Sequence, residues 1–363
     1  MLPRMWARCL AFRQTLSTRN KKVYLETQSR GLSMRVIVTG VAGFIGSSIA
    51  DRMLAEGNEV IGIDCFVPYY PRVLKEKNLE RALSYEKFHF LESDLCDVFA
   101  CADEDNPKAR HNLLDGIDVI YHQAAQAGVR ASWGRDFNIY CHNNILGTQK
   151  LLEACKGREG LRVVYASSSS VYGETVKFPM QETDLPHPVS PYGVSKLSAE
   201  HLMCLYTHNF GVHTSSLRYF TVYGPRQRPD MAFHKLCRSV LCGDEFLLYG
   251  SGEQTRDFTF ISDIVDANIN AGLHGQPGRV YNIGGGTRIS MNDVISMIEN
   301  IAGRKANIKR LGRQDGDVTH TSADVSRAIE DWGYAPKVKL EDGLAQELEF
   351  IENVIIPTLA SNK

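Results

Sequence analysis

Arg35-Val36-Ile37-Val38-Thr39-Gly40-Val41-Ala42-Gly43-Phe44-Ile45-Gly46 is the stretch that decides the fold. Val36 to Thr39 is an apolar, β-branched run, consistent with a strand buried on both faces. Three glycines at equal spacing then lead into Ser47 to Glu56, which reads as a helix ended by Gly57. At such a turn the helix N-terminus attracts an anion, and glycine lets the main chain approach a pyrophosphate. The spacing is G-x-x-G-x-x-G rather than G-x-G-x-x-G, and turn punctuation alone would explain it. Asp64 adds weight. It ends the next strand, Glu59–Asp64, 18 residues after Gly46. A carboxylate there accepts hydrogen bonds from adenosine ribose hydroxyls and repels a 2′-phosphate. NAD is therefore expected, rather than NADP.

The pattern continues outward. Phe88–Leu91, Val119–His122, Arg162–Ala166 and Thr214–Arg218 are further strand candidates. Asn143–Lys156 and Pro191–Phe210 are the clearest helices between them. Ser190 can cap the second, with Pro191 at its first position. Alternating β and α elements predict an α/β fold, a doubly wound parallel sheet covered on both faces. Past Thr221 the rhythm loosens, with Pro225, Pro229, Gly243, Gly250, Gly252 and Gly284-Gly285-Gly286 as punctuation. Helices are expected from Ser290 to Ala302 and from Val325 to Trp332. The expected organisation is an N-terminal extension over 1–33, an NAD-binding domain over 34–220 and a smaller α/β ligand lobe over 221–363. The crevice between the two lobes is the expected site.

Bulk properties exclude several classes. The 363 residues carry a formal net charge of −1, so no nucleic-acid partner is expected. No apolar run reaches the roughly 18 residues of a membrane span. Nine cysteines form no C-x-x-C pair, which reads as reduced thiols in a cytoplasmic setting. No metal-ligand spacing is seen. Residues 1–33 carry Arg4, Arg8, Arg13, Arg19, Lys21, Lys22 and Arg30 against the single acid Glu26. That composition is like a transit peptide; an extension ahead of the domain, with Met34 as a natural start, is the simpler reading.

The chemistry lies in Tyr192 and Lys196, four residues apart and so on one helix face. An ammonium beside a phenol favours phenolate and makes it a usable base. Upstream lies the run Ser167-Ser168-Ser169-Ser170. Four serines at a strand end can also be a turn with satisfied hydroxyls. Asp94, in Ser93-Asp94-Leu95, either holds an adenine edge or caps a turn. The small residues Ala124 and Ala125 after Val119–His122 would let a flat cofactor pass, or would serve tight packing.

In this order, Thr39-Gly40-x-x-Gly43-Phe44-Ile45-Gly46, Asp64, Ala124-Ala125, Ser-Ser-Ser-x-Val171-Tyr172-Gly173 and Tyr192-x-x-x-Lys196 resemble the extended short-chain dehydrogenase/reductase family. Within it the match is to NAD-dependent nucleotide-sugar epimerases and dehydratases. Arg218-Tyr219-Phe220-x-Val222-Tyr223-Gly224-Pro225-Arg226 and Arg256-Asp257-Phe258-Thr259 are similar to that group too. The resemblance spans about residues 35 to 350 and implies a Rossmann-type fold. It implies that Tyr192 is the base, that Lys196 lowers its pKa and binds the nicotinamide ribose, and that Ser168 bonds the same sugar hydroxyl. Gly40, Gly43, Phe44, Ile45, Gly46, Asp64, Asp94, Leu95, Ala124 and Ala125 would hold NAD. Arg256 would bind the pyrophosphate of a UDP-sugar and Asp317 its uridine ribose. A homodimer through Asn143–Lys156 and Pro191–Phe210 is expected.

The reaction is read by comparison within the family. Dehydratases resemble an Asp-Glu pair where Ser169-Ser170 stand, and decarboxylases a Glu where Ser170 stands. Without that acid, elimination lacks its proton donor and acceptor. Epimerisation at C4 remains. Ser169, Ser170 and Thr221 offer donors near C5, and Gln126-Ala127-Gly128-Val129-Arg130 resembles UDP-glucuronate 4-epimerases. Arg130 and Arg228 would reach an acidic sugar, or else the UDP phosphates or surface partners. UDP-glucuronate is the first substrate reading, UDP-glucose 4-epimerisation the second and UDP-glucuronate decarboxylation the third.

Overall fold

A computed structural model describes residues 33–100, 112–312, 316 and 318–362. Asp317 and the N-terminal extension up to Ser33 fall outside or at the edge of them. The strands are β1 (Arg35–Thr39), β2 (Glu59–Asp64), β3 (Phe88–Glu92), β4 (Val119–His122), β5 (Arg162–Ser168), β6 (His213–Tyr219), β7 (Thr221–Tyr223), β8 (Phe246–Tyr249), β9 (Thr255–Phe260), β10 (Arg279–Ile283), β11 (Arg288–Ser290) and β12 (Ile308–Leu311). The longer helices are α1 (Phe44–Ala55), α2 (Arg72–Leu83), α3 (Gly147–Cys155), α4 (Pro191–Phe210), α5 (Ala232–Cys242), α6 (Ile261–His274), α7 (Met291–Ala302) and α8 (Leu340–Phe350).

Seven strands form one parallel sheet in the order β10-β6-β5-β4-β1-β2-β3. Side chains alternate across it. Val36, Val38, Val60 and Val119 face one apolar layer with α1 and α6. Ile37, Ile61, Ile63 and Ile120 face another with Leu151 and Leu152 of α3 and Ala199 and Met203 of α4. Each such side chain contributes about 1.5–3 kcal/mol by leaving water. The direction of winding reverses between β1 and β4, and a ligand crevice forms at such a switch point, beyond the strand C-termini.

Three boundaries differ from expectation for identifiable reasons. α1 starts at Phe44 because Gly46 is already a helical residue packed on the turn. The segment Cys141–Leu146 before α3 is a π-helical turn. Asn144 in it is drawn inward, donating to the Gln126 carbonyl at 3.0 Å and to Ser195 at 2.9 Å. Insertions of this kind mark places where side chains must be re-aimed. Finally β10, beyond residue 221, pairs with β6 from Arg279↔Ser215 to Ile283↔Tyr219 and covers that edge of the large sheet. Among the described residues, the small sheets β11-β9-β7 and β12-β8 stand apart from it.

Candidate active site

The glycine turn is fixed by contact. Gly40 has φ +67°, and a Cβ there would lie 2.8 Å from the Ala124 backbone. A Cβ on Gly46 would collide with the Gly40 carbonyl. The turn therefore presses directly on the loop after β4. Thr39 Oγ1 accepts from the Ala124 N–H at 3.1 Å and faces His122 Nδ1 at 2.8 Å. His122 Nε2 faces Thr148 Oγ1 at 2.9 Å, and that hydroxyl donates to the Asn144 carbonyl at 2.7 Å. Thr148 thus accepts from His122, which fixes the Nε2–H tautomer and leaves Nδ1 to accept from Thr39. Burial pushes His122 down to about 3, so it stays neutral.

Asp64 uses both oxygens on backbone, accepting from Ala42 at 3.0 Å and Phe66 at 2.8 Å. Burial raises its pKa against those bonds. Asp94 caps the turn Leu95–Val98 by accepting from the Cys96 N–H at 2.8 Å, the capping alternative of the two expected for it. Asp94, Cys96 and His142 bring three possible ligand atoms within 4.8 Å of one another, although their spacing carries no metal signature. Burial, reinforced by Asp94, pushes the Cys96 thiol up to about 12.

One cavity is lined by Gly40, Gly43, Phe44, Ile45, Gly46, Asp64, Asp94, Leu95, Ala124 and Ala125, and also by Tyr192, Lys196 and Arg228. All the residues expected to hold the cofactor thus surround one space. The close packing of Gly40 on Ala124 leaves the main chain bare there, which suits a pyrophosphate. Lys75 and Tyr69 line the same wall, although neither stands in a recognisable motif.

The helix carrying Tyr192 starts where expected. Ser190 caps it, accepting from the Gly193 N–H at 3.1 Å. A Cβ on Gly193 would stand 2.6 Å from the Ser170 carbonyl, so only glycine lets the helix lie against the serine run. Ser168 Oγ accepts from the Ser170 N–H at 3.1 Å, which leaves its own proton for Tyr192. Burial raises the Tyr192 phenol; the Ser168 bond and then the charge of Arg228 oppose that rise. Lys196 donates to the Ala166 carbonyl at 2.7 Å. Burial brings its ammonium down to about 7. Arg228 is the charge that opposes the rise at Tyr192, and Lys196 stands one turn further along the same helix in the same cavity.

The expected substrate residues divide. Arg228 lines the cavity. Ser169 and Ser170 form the turn after β5, and Thr221 opens β7; all three are half-buried. Arg130 is exposed, its guanidinium stacked 4.2 Å over the Tyr249 ring. Arg256 does not line the cavity. It donates to the carbonyls of Thr255 and Thr319 at 3.0 Å and of Val318 at 2.6 Å. Three carbonyls thus hold the guanidinium between the start of β9 and the chain at Val318 and Thr319.

A glycine turn and an acidic β2 end at the switch point of a parallel sheet, with a Tyr–Lys pair beside them, define a Rossmann-type protein of the short-chain dehydrogenase class. Residues 36–284 match the NAD dependent epimerase/dehydratase family, and the chain belongs to that family. A UDP-glucuronic acid 4-epimerase from Bacillus cereus, solved with UDP-glucuronic acid and NAD, is 43% identical. It superimposes with a TM-score of 0.82 over 88% of this chain and 100% of its own. The UDP-glucuronate 4-epimerase of Thermodesulfobacterium geofontis is 36% identical over 86% of this chain and 95% of its own. The UDP-glucose 4-epimerase of Thermotoga maritima, solved with UDP-glucose, is 31% identical, with a TM-score of 0.78 over 89% of this chain and 100% of its own.

Proposed function

We propose that this protein is an NAD-dependent UDP-sugar 4-epimerase that converts UDP-glucuronate to UDP-galacturonate. The observation that carries it is the placement of Tyr192 and Lys196 in one cavity with the glycine turn and Arg228. Bound NAD supplies a reversible hydride acceptor. Tyr192 takes the proton of the C4 hydroxyl, and the Ser168 hydroxyl, its lone pair occupied by Ser170, donates to the phenolate. The same two groups return a proton after the 4-keto sugar has turned over. Lys196, its ammonium brought down to about 7 by burial, completes the polar wall.

The 4-keto form of UDP-glucuronate is a β-keto acid and loses CO₂ when its carboxylate aligns with the carbonyl π system. Ser169, Ser170, Thr221 and Arg228 are the groups we assign to holding that carboxylate out of alignment. Arg256 and Asp317 remain the assignments for the UDP moiety. UDP-glucose is the second reading, because Arg228 is already ion-paired with Asp230 before any substrate carboxylate arrives.

We also infer a homodimer. Ile139, Leu146, Val194, Leu205 and Phe210 are exposed apolar residues on and before α3 and on α4. Docking of these helices against a second copy would remove those side chains from water. No helix among the described residues is long and apolar enough to cross a membrane. Seven described cysteines are unpaired, which supports a cytoplasmic setting.

The test is incubation of the purified protein with UDP-glucuronate, UDP-glucose and UDP-xylose, products identified by NMR. UDP-galacturonate with little pentose or CO₂ is expected. A mainly pentose product, or conversion of UDP-glucose alone, would overturn the substrate assignment.

A further inference from the structure

Arg228 is held before any substrate reaches it. Its Nε donates to Asp230 Oδ1 and its Nη2 to Asp230 Oδ2, both at 2.9 Å, a two-pronged pairing. The Tyr69 hydroxyl donates to the same Oδ2 at 3.2 Å. Tyr69 can lie there because Gly128 has no side chain; a Cβ on it would collide with the phenol oxygen. The chain around Arg228 is fastened as well. Arg226 pairs with Asp51 at 2.7 Å, and Gln227 donates to the Val222 carbonyl at 3.0 Å while accepting from the His234 N–H at 2.9 Å. Arg228 and Asp230 are only 22% and 33% exposed, so their charges are weakly screened.

We propose that Asp230 is a specificity-determining residue: it neutralises and orients Arg228 so that the site accepts both acidic and neutral sugars. The proposal rests on the 4-epimerase reading above. A guanidinium left unpaired beside a neutral hydroxymethyl group would penalise UDP-glucose, and Asp230 removes that penalty. A glucuronate carboxylate must instead share the cation with Asp230, through the donors that Asp230 leaves on Nη1 and Nη2. Asp230 therefore weakens preference for the acidic sugar. It also screens Arg228 from Tyr192, where the cation favours phenolate.

The surrounding groups do not obscure this. Asp230 is faced by Tyr69, Tyr70, Tyr140 and His234, whose shifts keep all four uncharged at neutral pH. Tyr192 is faced by Ser168, Tyr140 and Tyr165, and its helix adds Lys196. Lys75 is the further cation near Arg228.

The experiment measures kcat and KM on UDP-glucuronate and UDP-glucose, across pH, for wild type, Asp230→Asn and Asp230→Glu. Asp230→Asn is expected to raise the ratio of kcat/KM for UDP-glucuronate over UDP-glucose by about tenfold. The ascending limb of its pH profile, where the rate rises as Tyr192 ionises, is expected to move to lower pH. Asp230→Glu should keep the wild-type ratio. An equal loss on both sugars with an unmoved limb would show a merely structural residue and overturn the proposal. If wild type turns over UDP-glucose alone, the substrate reading fails, and the pH limb on UDP-glucose still decides the role of Asp230. If neither sugar turns over, difference titration of phenolate absorbance decides it, comparing Tyr192→Phe pairs made with and without Asp230→Asn. A lower Tyr192 pKa in the Asn background supports the proposal, and an unchanged one ends it.

Discussion

Glu200 accepts a hydrogen bond from Ser167 at 2.7 Å while its carboxylate takes both prongs of Arg218, at 3.0 and 2.6 Å. Ser167 immediately precedes Ser168 on β5, and Glu200 lies two turns beyond Tyr192 on α4. The buried pair thus ties the strand end bearing the serine to the helix bearing the tyrosine. Both side chains are only 4% exposed. Glu200→Ala would leave Arg218 charged and unpaired, at a cost of about 3–5 kcal/mol. Glu200→Met with Arg218→Leu should cost much less, because neither charge is then buried. Urea unfolding of the two proteins checks the order, and equal losses would contradict it.

Tyr192→Phe is expected to keep the fold and bound NAD while turnover falls by about 10²–10⁴-fold. Ser168→Ala should retain more activity. Its loss of the donor to phenolate raises the Tyr192 pKa, so the limb of the rate profile should move to higher pH. Steady-state rates across pH, with NAD content measured on denatured protein, test both. Near wild-type turnover in Tyr192→Phe would remove the mechanism.

Lys196 carries a stability signature. Its folded pKa is lowered to about 7 from the usual 10.5, so between these values the unfolded chain binds more protons. Stability from this group therefore rises with pH across that window, and its burial penalty is full only below it. Lys196→Met should gain stability relative to wild type near pH 6, and that advantage should shrink toward pH 10. Thermal unfolding at matched cofactor content reads the difference. A difference independent of pH would mean that Lys196 is not depressed.

Gly46→Ala forces a methyl group into the Gly40 carbonyl, whereas a Cβ on Gly43 meets that oxygen at 3.1 Å. Gly46→Ala should therefore cost about 3 kcal/mol or more and release NAD, and Gly43→Ala should be milder. Unfolding midpoints and retained NAD would rank them. The opposite rank would show that the turn relaxes.

Local order was legible in the residues themselves. The apolar run Val36–Thr39, the glycines after it and the Ser190-Pro191 start of α4 are short-range signals, because strand and helix periods and caps act within a few residues. The same spacing placed Tyr192 and Lys196 on one face, and several motifs in series identified the family. What remained hidden depends on chain segments that meet only in space. β10 completes the large sheet after a gap of about sixty residues from β6. His122 joins Thr39 to Thr148, and Glu200 reaches Ser167 across two elements. The depressed Lys196 ammonium is also a tertiary property, because nothing in its neighbouring residues determines how much water folding will remove from it. Sequence spacing thus determined which groups share a face, whereas burial and long-range partners, set by the packed structure, decided their charge and reach.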